Sequence, residues 1–482
     1  MIKASSVSLT KSQVKRQAQK AQKISRHFNF DSLMCKFDEI IATLPDRREG
    51  KNISKSMEDA TLNAFALFFT QNPSFLSYQK SMQKSKGKNN ADSLFGIKNI
   101  LSDNHIRFLL DKVSPSYLSP MYSFIFDGLE QGGYLNEMRS YNNNQLVAMD
   151  GVQYFSSSKI HCENCNETHH KTGGITYSHS AVTPVIVKPG VNIAISLFPE
   201  FITPQDGHDK QDCENAAAKR WLRTYGEKFK KKSVTITGDD LYCKQPLCDL
   251  IKEIGWDFIL VCKEESHKIL YEFVRCLGKD IPQVQVRRWT GNRFEVDTYR
   301  YFNNIPLRDG KDALQVNWCE IVTRVEKCKD SKANANSKKD DEPEEKIVYE
   351  NTFITNFEIT PENVSMIVAD GRTRWKIENE NNNVLKTKGY HFEHNFGHGK
   401  NHLSSLLATL NILAFLFHTV LELIDERYAL LRGHLPTRIA FFTDIVALTR
   451  YIYFDNWGKL LDFMIDGLEL ELPKSFKHPD TG

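Results

Sequence analysis

The chain has 482 residues, a net charge of +3, 40% apolar residues and 11% aromatics. It is too long for one compact core and too apolar to be disordered, so two or three folded domains are expected. The near-neutral balance neither demands nor excludes nucleic acid, because local clustering of charge decides that. Ten cysteines behind a start without an apolar leader (MIKASSVSLTKSQ) point to free thiols in a reducing, cytoplasmic setting.

Residues 1–28 carry Lys3, Lys11, Lys15, Arg16, Lys20, Lys23 and Arg26 and no acidic residue. They read as a basic helix, either solvated or laid on a phosphate backbone. From Phe30 to about Tyr141 the apolar spacing predicts several helices and little strand. The texture changes at Gln145. QLVAMDGVQYF is a strand-type run ending on Asp150-Gly151, and a polar segment with His161, Cys162, Cys165, His169 and His170 follows it. TPVIVKPGVNIAISLF reads as a hairpin around Pro189-Gly190. Residues 208–231 read as a helix that starts acidic and ends basic, as the helix dipole favours. SVTITGDDLY is a second strand run, ending on Asp239-Asp240; a helix to Ile254, the strand DFILVCK and a helix from His267 to Leu277 come next. Strands alternating with helices predict an α/β sheet.

A β-rich block over residues 280–360, with a polar loop at 329–346, then interrupts the α/β pattern. Helical spacing runs on to about Lys388. Leu403 to Arg432 is helical, and two further helices reach about Leu468 after a break at Gly433–Pro436. The most apolar stretch, Leu403 to Ile424, carries Asn411, His418 and Glu422 at amphipathic spacing, so it reads as a buried core helix and not a membrane span.

Three constellations carry chemistry. Asp150 and Asp239 end predicted strands, and Glu378 lies between Arg374 and Asn382 at four-residue spacing, on one face of a regular helix. Carboxylates at the carboxyl ends of strands in an open α/β sheet converge on one crevice. They make a hard-oxygen site for Mg²⁺, and two such ions serve in-line phosphoryl displacement. The ordinary reading of an aspartate at a strand end is a turn or cap. Second, Cys162-Glu-Asn-Cys165 with His169, plus His161 or His179, has the spacing of a zinc knuckle, or is plain polar loop. Third, His391, His394, His398 and His402 with Lys400 form a metal cluster, a phosphate-contacting loop or a hydrogen-bonded turn. Gly397 and Gly399 argue against a regular helix there. Trp375 and Tyr390 either stack on unpaired bases or pack inward.

Taken together, AMDGVQYFSS, TGDDLYCKQP and RWKIENENNNVLKTKGY…EHNFGHGKNH resemble the three catalytic blocks of DDE transposases of bacterial insertion sequences, over roughly residues 140–430. The resemblance is to the branch whose core is interrupted before the glutamate helix. It implies an α/β fold with an RNase H-like core in two parts, 142–279 and 361–432, split by the β-rich insertion 280–360. A helical DNA-binding domain (1–141) would precede it and a helical region (433–482) follow it. It further implies cutting and joining of double-stranded DNA by a homodimer in the bacterial cytoplasm, at the nucleoid when bound and with no membrane. The implied cofactor is a pair of Mg²⁺ ions, with Mn²⁺ as substitute. Asp150, Asp239 (three before Tyr242) and Glu378 match the metal-binding residues. Arg374 and Lys386 match the pair that holds phosphates of the element's end. Lys400, His402, Trp375 and Tyr390 are the further candidate DNA contacts. Two positions depart from the family pattern: Gly371 stands where the signature has tyrosine, and Lys386 comes one residue late, about 80° off the Glu378 face of a regular helix. A DNA-binding derivative without chemistry and a nuclease that cuts without joining share these features. A zinc hydrolase centred on the histidines is the more distant reading.

Overall fold

The computed structural model describes residues 28–48, 55–206, 210–228, 233–325 and 346–472. The basic run at the start and the polar loop after residue 325 lie almost wholly outside them.

Thirteen strands occur among the described residues: β1 (Gln145–Ala148), β2 (Gly151–Ser157), β3 (Asn166–His169), β4 (Ile175–Val182), β5 (Val185–Lys188), β6 (Val191–Ser196), β7 (Glu200–Ile202), β8 (Val234–Gly238), β9 (Asp257–Val261), β10 (Gln283–Trp289), β11 (Phe294–Pro306), β12 (Gln315–Val325) and β13 (Lys346–Thr355). Nine form one sheet in the order β10-β11-β12-β13-β9-β8-β1-β5-β6. Its centre, β1, β8 and β9, is parallel and built from QLVA, VTITG and DFILV, buried almost throughout, as strands covered on both faces must be. The helices Lys210–Lys228 and Gln245–Ile254 precede β8 and β9. The predicted hairpin is β5–β6, and Gly190 takes the left-handed conformation its turn requires (φ 76°).

Two features go beyond the sequence reading. The first strand ends just before Asp150, as expected, but a second strand follows it at once. The chain leaves the main sheet after Ala148, and β2 enters a second sheet of order β2-β4-β3, with β7 on β4. The β-rich block also continues the main sheet. β13 pairs antiparallel with β9 (Phe353 opposite Val261), and β12, β11 and β10 extend it as a meander.

The helices gather around Leu403–Ile424, which is long and apolar enough to cross a membrane, yet 83% of its most apolar window is buried inside the protein. Phe65 of the helix Met57–Phe69 packs edge-on against Phe417 at 4.9 Å, and Phe37 of the helix Phe30–Ile41 against Phe65 at 4.9 Å. One continuous apolar core joins these N-terminal helices, the sheet and the C-terminal helices. Asp111 fixes the start of the long helix, accepting from the amides of Lys400 (3.0 Å), Asn401 (3.0 Å) and Leu403 (3.3 Å). Burial raises its pKa, but these amides outweigh that and hold the carboxyl below its usual range.

Candidate catalytic site

The site is built on the register of β1 and β8. Ala148 lies opposite Thr237, and the Met149 amide donates to the Thr237 carbonyl (2.9 Å), so the next residues, Asp150 and Asp239, leave adjacent parallel strands side by side. The Asp239 carboxylate accepts the amide of Leu241 (3.0 Å). Asp240 turns elsewhere: it takes the Lys263 amide (2.6 Å) and the Ser266 hydroxyl (2.5 Å), which makes it the anchor of a neighbouring loop.

Glu378 acts on the same place through its charge. Burial and then the charge of Asp239 push the Asp150 carboxyl up to about 7; Glu214 and Glu378 add to this, and Arg374 opposes it. Arg374 holds Glu378 in an ion pair of 2.9 Å, and Glu378 is half exposed. Four carboxylates and one arginine thus share a local field, and carboxylate oxygens are the hard donors that Mg²⁺ and Mn²⁺ prefer.

Glu214, on the helix Lys210–Lys228, escaped the sequence reading. Its carboxylate sits so close to Gly151 that a Cβ there would lie 2.4 Å from the Glu214 carboxyl carbon, so any larger residue after Asp150 would displace that carboxylate. The Tyr242 hydroxyl donates to it at 3.4 Å. One signal pointed to it. Glu214 falls on the buried stripe of Ala217, Ala218 and Trp221, where an acid is out of place.

The segment expected to be one regular helix is three pieces. A helix over Val364–Arg372 ends, a π-helical turn spans Ile377–Asn382, and Asn383–Thr387 returns to α-helix. Asn382 therefore does not flank Glu378. It is buried, accepts the Thr183 hydroxyl (3.1 Å), and the Thr183 amide donates to the Asp150 carbonyl (3.0 Å). Asn381 accepts the Ser196 hydroxyl of β6 (2.9 Å). These buried amides clamp the glutamate segment onto the strand ends.

The π turn also accounts for the late lysine. Closing i to i+5, as the Asn383 amide does on the Glu378 carbonyl, absorbs one extra residue and undoes most of the rotation a regular helix would give Lys386. Lys386 itself is paired with Glu393 (2.7 Å). Gly371 has a packing cause. Any Cβ there would lie 2.7 Å from the Phe353 ring and 3.0 Å from Ile259, because the helix presses directly on β13 and β9.

The remaining candidates separate. Trp375 is 44% exposed, with the Lys376 ammonium 4.9 Å from its ring centre, so it does not pack onto the sheet. Tyr390 is buried and hydrogen-bonded to His418, which removes it as a base-stacking residue. Lys400 and His402 have exposed side chains on a loop whose backbone Asp111 holds. His169 is exposed beside Glu167 (3.4 Å) and takes no part with the cysteines; His161 stacks on Tyr177. The four-histidine cluster does not form: His391, His394 and His402 are exposed, and His398 is buried against Cys165. Cys162, Cys165, His179 and His398 come together instead.

No family model matches the chain, and no curated protein does. Among solved structures, a piggyBac transposase synaptic complex with hairpin DNA is similar over 89% of this chain and 85% of that one, with 10% identity and a TM-score of 0.36. A superposition that loose says nothing about the chemistry of the site.

Proposed function

We propose that the chain is a DDE-type DNA transposase with an RNase H-like core, acting on double-stranded DNA as a dimer. What supports the reading is that Asp150 and Asp239 leave neighbouring parallel strands together and that the charge of Glu378 is felt at Asp150, the three lying in segments that resemble the family's catalytic blocks. The strand order supports the core: β5 and β6 run antiparallel on one side of β1, and β8 and β9 run parallel on the other.

Asp150, Asp239 and Glu378 would hold the divalent ions, with Glu214 next to them as a further source of negative charge. Bound there, Mg²⁺ supplies activation of the attacking oxygen and neutralisation of the leaving one. The protein's own residues do the positioning. Arg374 restrains Glu378 through their ion pair, the Asn382–Thr183 bridge fixes the glutamate segment to the Asp150 backbone, and Arg374 and Lys386 would offer cations to the scissile strand's phosphates. Water would cut the phosphodiester at the element's end, and the freed 3′ hydroxyl would then attack target DNA, with no covalent protein intermediate.

The test uses end-labelled duplexes from the DNA flanking the gene, a target plasmid and Mg²⁺. Joined products support a transposase. Cleavage that never yields joined product makes the protein a nuclease, and binding without cleavage makes it a DNA-binding derivative.

A further inference from the structure

Two cysteines and two histidines outside the carboxylate site face one another. Cys162 and Cys165 lie in the loop between β2 and β3, in a tight turn closed by the Cys165 amide on the Cys162 carbonyl (3.1 Å). The Cys162 amide points at the Cys165 sulfur (3.4 Å). His179 stands on β4, paired in register with Phe155 of β2. His398 arrives from the loop that follows the Glu378 segment, 233 residues beyond Cys165. Cys165, His179 and His398 are buried, and Cys162 is partly so.

The spacing of the donor atoms is that of a coordination shell. Sγ of Cys162 and Cys165 are 3.9 Å apart, and Nε2 of His179 lies 3.6 and 3.5 Å from them. Nε2 of His398 is 3.4 Å from Sγ of Cys165, and all four atoms fall within 4.8 Å of one another. A tetrahedral zinc with Zn–S of ~2.3 Å and Zn–N of ~2.05 Å has edges of ~3.8 Å between sulfurs and ~3.6 Å between sulfur and nitrogen. The observed separations match those edges. The rings are held in place: Tyr154 stacks on His179 at 5.9 Å, and Phe155 meets His398 edge-on at 4.5 Å. Without an ion, thiols and imidazoles would meet here only through weak sulfur hydrogen bonds.

We propose that Cys162, Cys165, His179 and His398 bind one structural Zn²⁺. Two soft thiolates with two imidazoles select zinc over Mg²⁺, and four protein ligands leave no open position for a substrate. The ion joins the sheet entered directly after Asp150 to the loop directly after the Glu378 segment. It therefore fixes both flanks of the carboxylate crevice without belonging to it. The ligand set keeps His179, one of the two alternatives the spacing offered, and corrects the rest of the expectation: His398 takes the place given to His169, and His161 stands outside. The proposal stands apart from the transposase reading and survives if that reading fails.

The experiment is metal analysis of the full chain purified from zinc-supplemented culture without chelator. Wild type should carry about one zinc per chain. His169→Ala and His402→Ala should keep it, and Cys165→Ser and His398→Ala should lose it. Reconstituted with Co²⁺, wild type should show the visible bands of a tetrahedral site with thiolate charge transfer, which Cys165→Ser lacks. Should the variants fail to fold, Cys243→Ala decides, since Cys243, Cys262 and His267 are a second thiol–imidazole group: zinc and cobalt bands kept in that variant support the proposal, and their loss overturns it. Wild type without zinc and without a tetrahedral cobalt spectrum would overturn the proposal, as would undiminished zinc in Cys165→Ser.

Discussion

Removing the charge from Asp150 should stabilise the metal-free protein at alkaline pH. Its carboxyl is pushed from 3.8 to about 7, first by burial and then by Asp239, Glu214 and Glu378, against the pull of Arg374. Each unit corresponds to about 1.4 kcal/mol, so keeping it ionised costs the fold about 4 kcal/mol, less what solvent screens at the open edge of the crevice. The native pKa is the higher one, so the folded chain keeps a proton that the unfolded chain has already lost. Stability from this group therefore falls as pH rises from about 4 to about 7 and stays low above that. Asp150→Asn never ionises. In EDTA its unfolding midpoint should exceed that of wild type above about pH 8, and the gap should close toward pH 4. Mg²⁺ should raise the wild-type midpoint and leave the variant where it was. Thermal unfolding across a pH series, with EDTA or Mg²⁺, reads both effects. A variant no more stable than wild type at pH 8 in EDTA, or a gap that ignores pH, would refute the crowding of carboxylates around Asp150.

Gly151→Ala forces the Glu214 carboxylate to move, and Mg²⁺-dependent cleavage should drop by about tenfold or more while the circular dichroism spectrum is kept; unchanged cleavage rates would show that the Glu214 position is irrelevant. Introducing the tyrosine of the transposase signature with Gly371→Tyr should destabilise the chain by about 1–3 kcal/mol or more, because the side chain has no room against Phe353 and Ile259. A denaturant midpoint equal to wild type would contradict that packing. Trp375→Ala should change stability by no more than about 0.5 kcal/mol, since the ring is exposed. Titration with a duplex carrying an unpaired end should nonetheless show severalfold weaker binding, as loss of one stacking platform implies, and equal affinity would remove Trp375 from the interface.

Much of the sheet was legible because its strands are short apolar runs closed by turn residues: the central strands ending before Asp150 and Asp239 and the Pro189-Gly190 hairpin appear where the pattern put them. The strand that follows Asp150 was not legible as a separate element, because GVQYF reads with the run before it and only the partner strands reveal the change of sheet. Periodicity was equally silent about the β-rich block, because local sequence reports strands and not the edge they join. The Glu378 segment failed for a tertiary reason. Asn381 and Asn382 are poor helix formers on their own, and their bonds to Ser196 and Thr183 hold a wider turn that local propensity does not encode. That turn was nevertheless visible as an anomaly, the one-residue delay of Lys386. The thiol–imidazole group was partly legible. The CxxC pair advertises itself by spacing and His179 was among the alternatives, but His398 is brought to them by the fold alone.

The central claim is that Asp150, Asp239 and Glu378 form one metal-dependent catalytic centre. The most direct measurement is single-turnover cleavage of a flanking-DNA duplex by wild type, Asp150→Asn, Asp239→Asn and Glu378→Gln in Mg²⁺, with duplex binding measured on the same preparations. The account predicts cutting by wild type alone and retained binding by all three variants. Cutting at the wild-type rate by any one of them would remove that residue from the centre and break the claim.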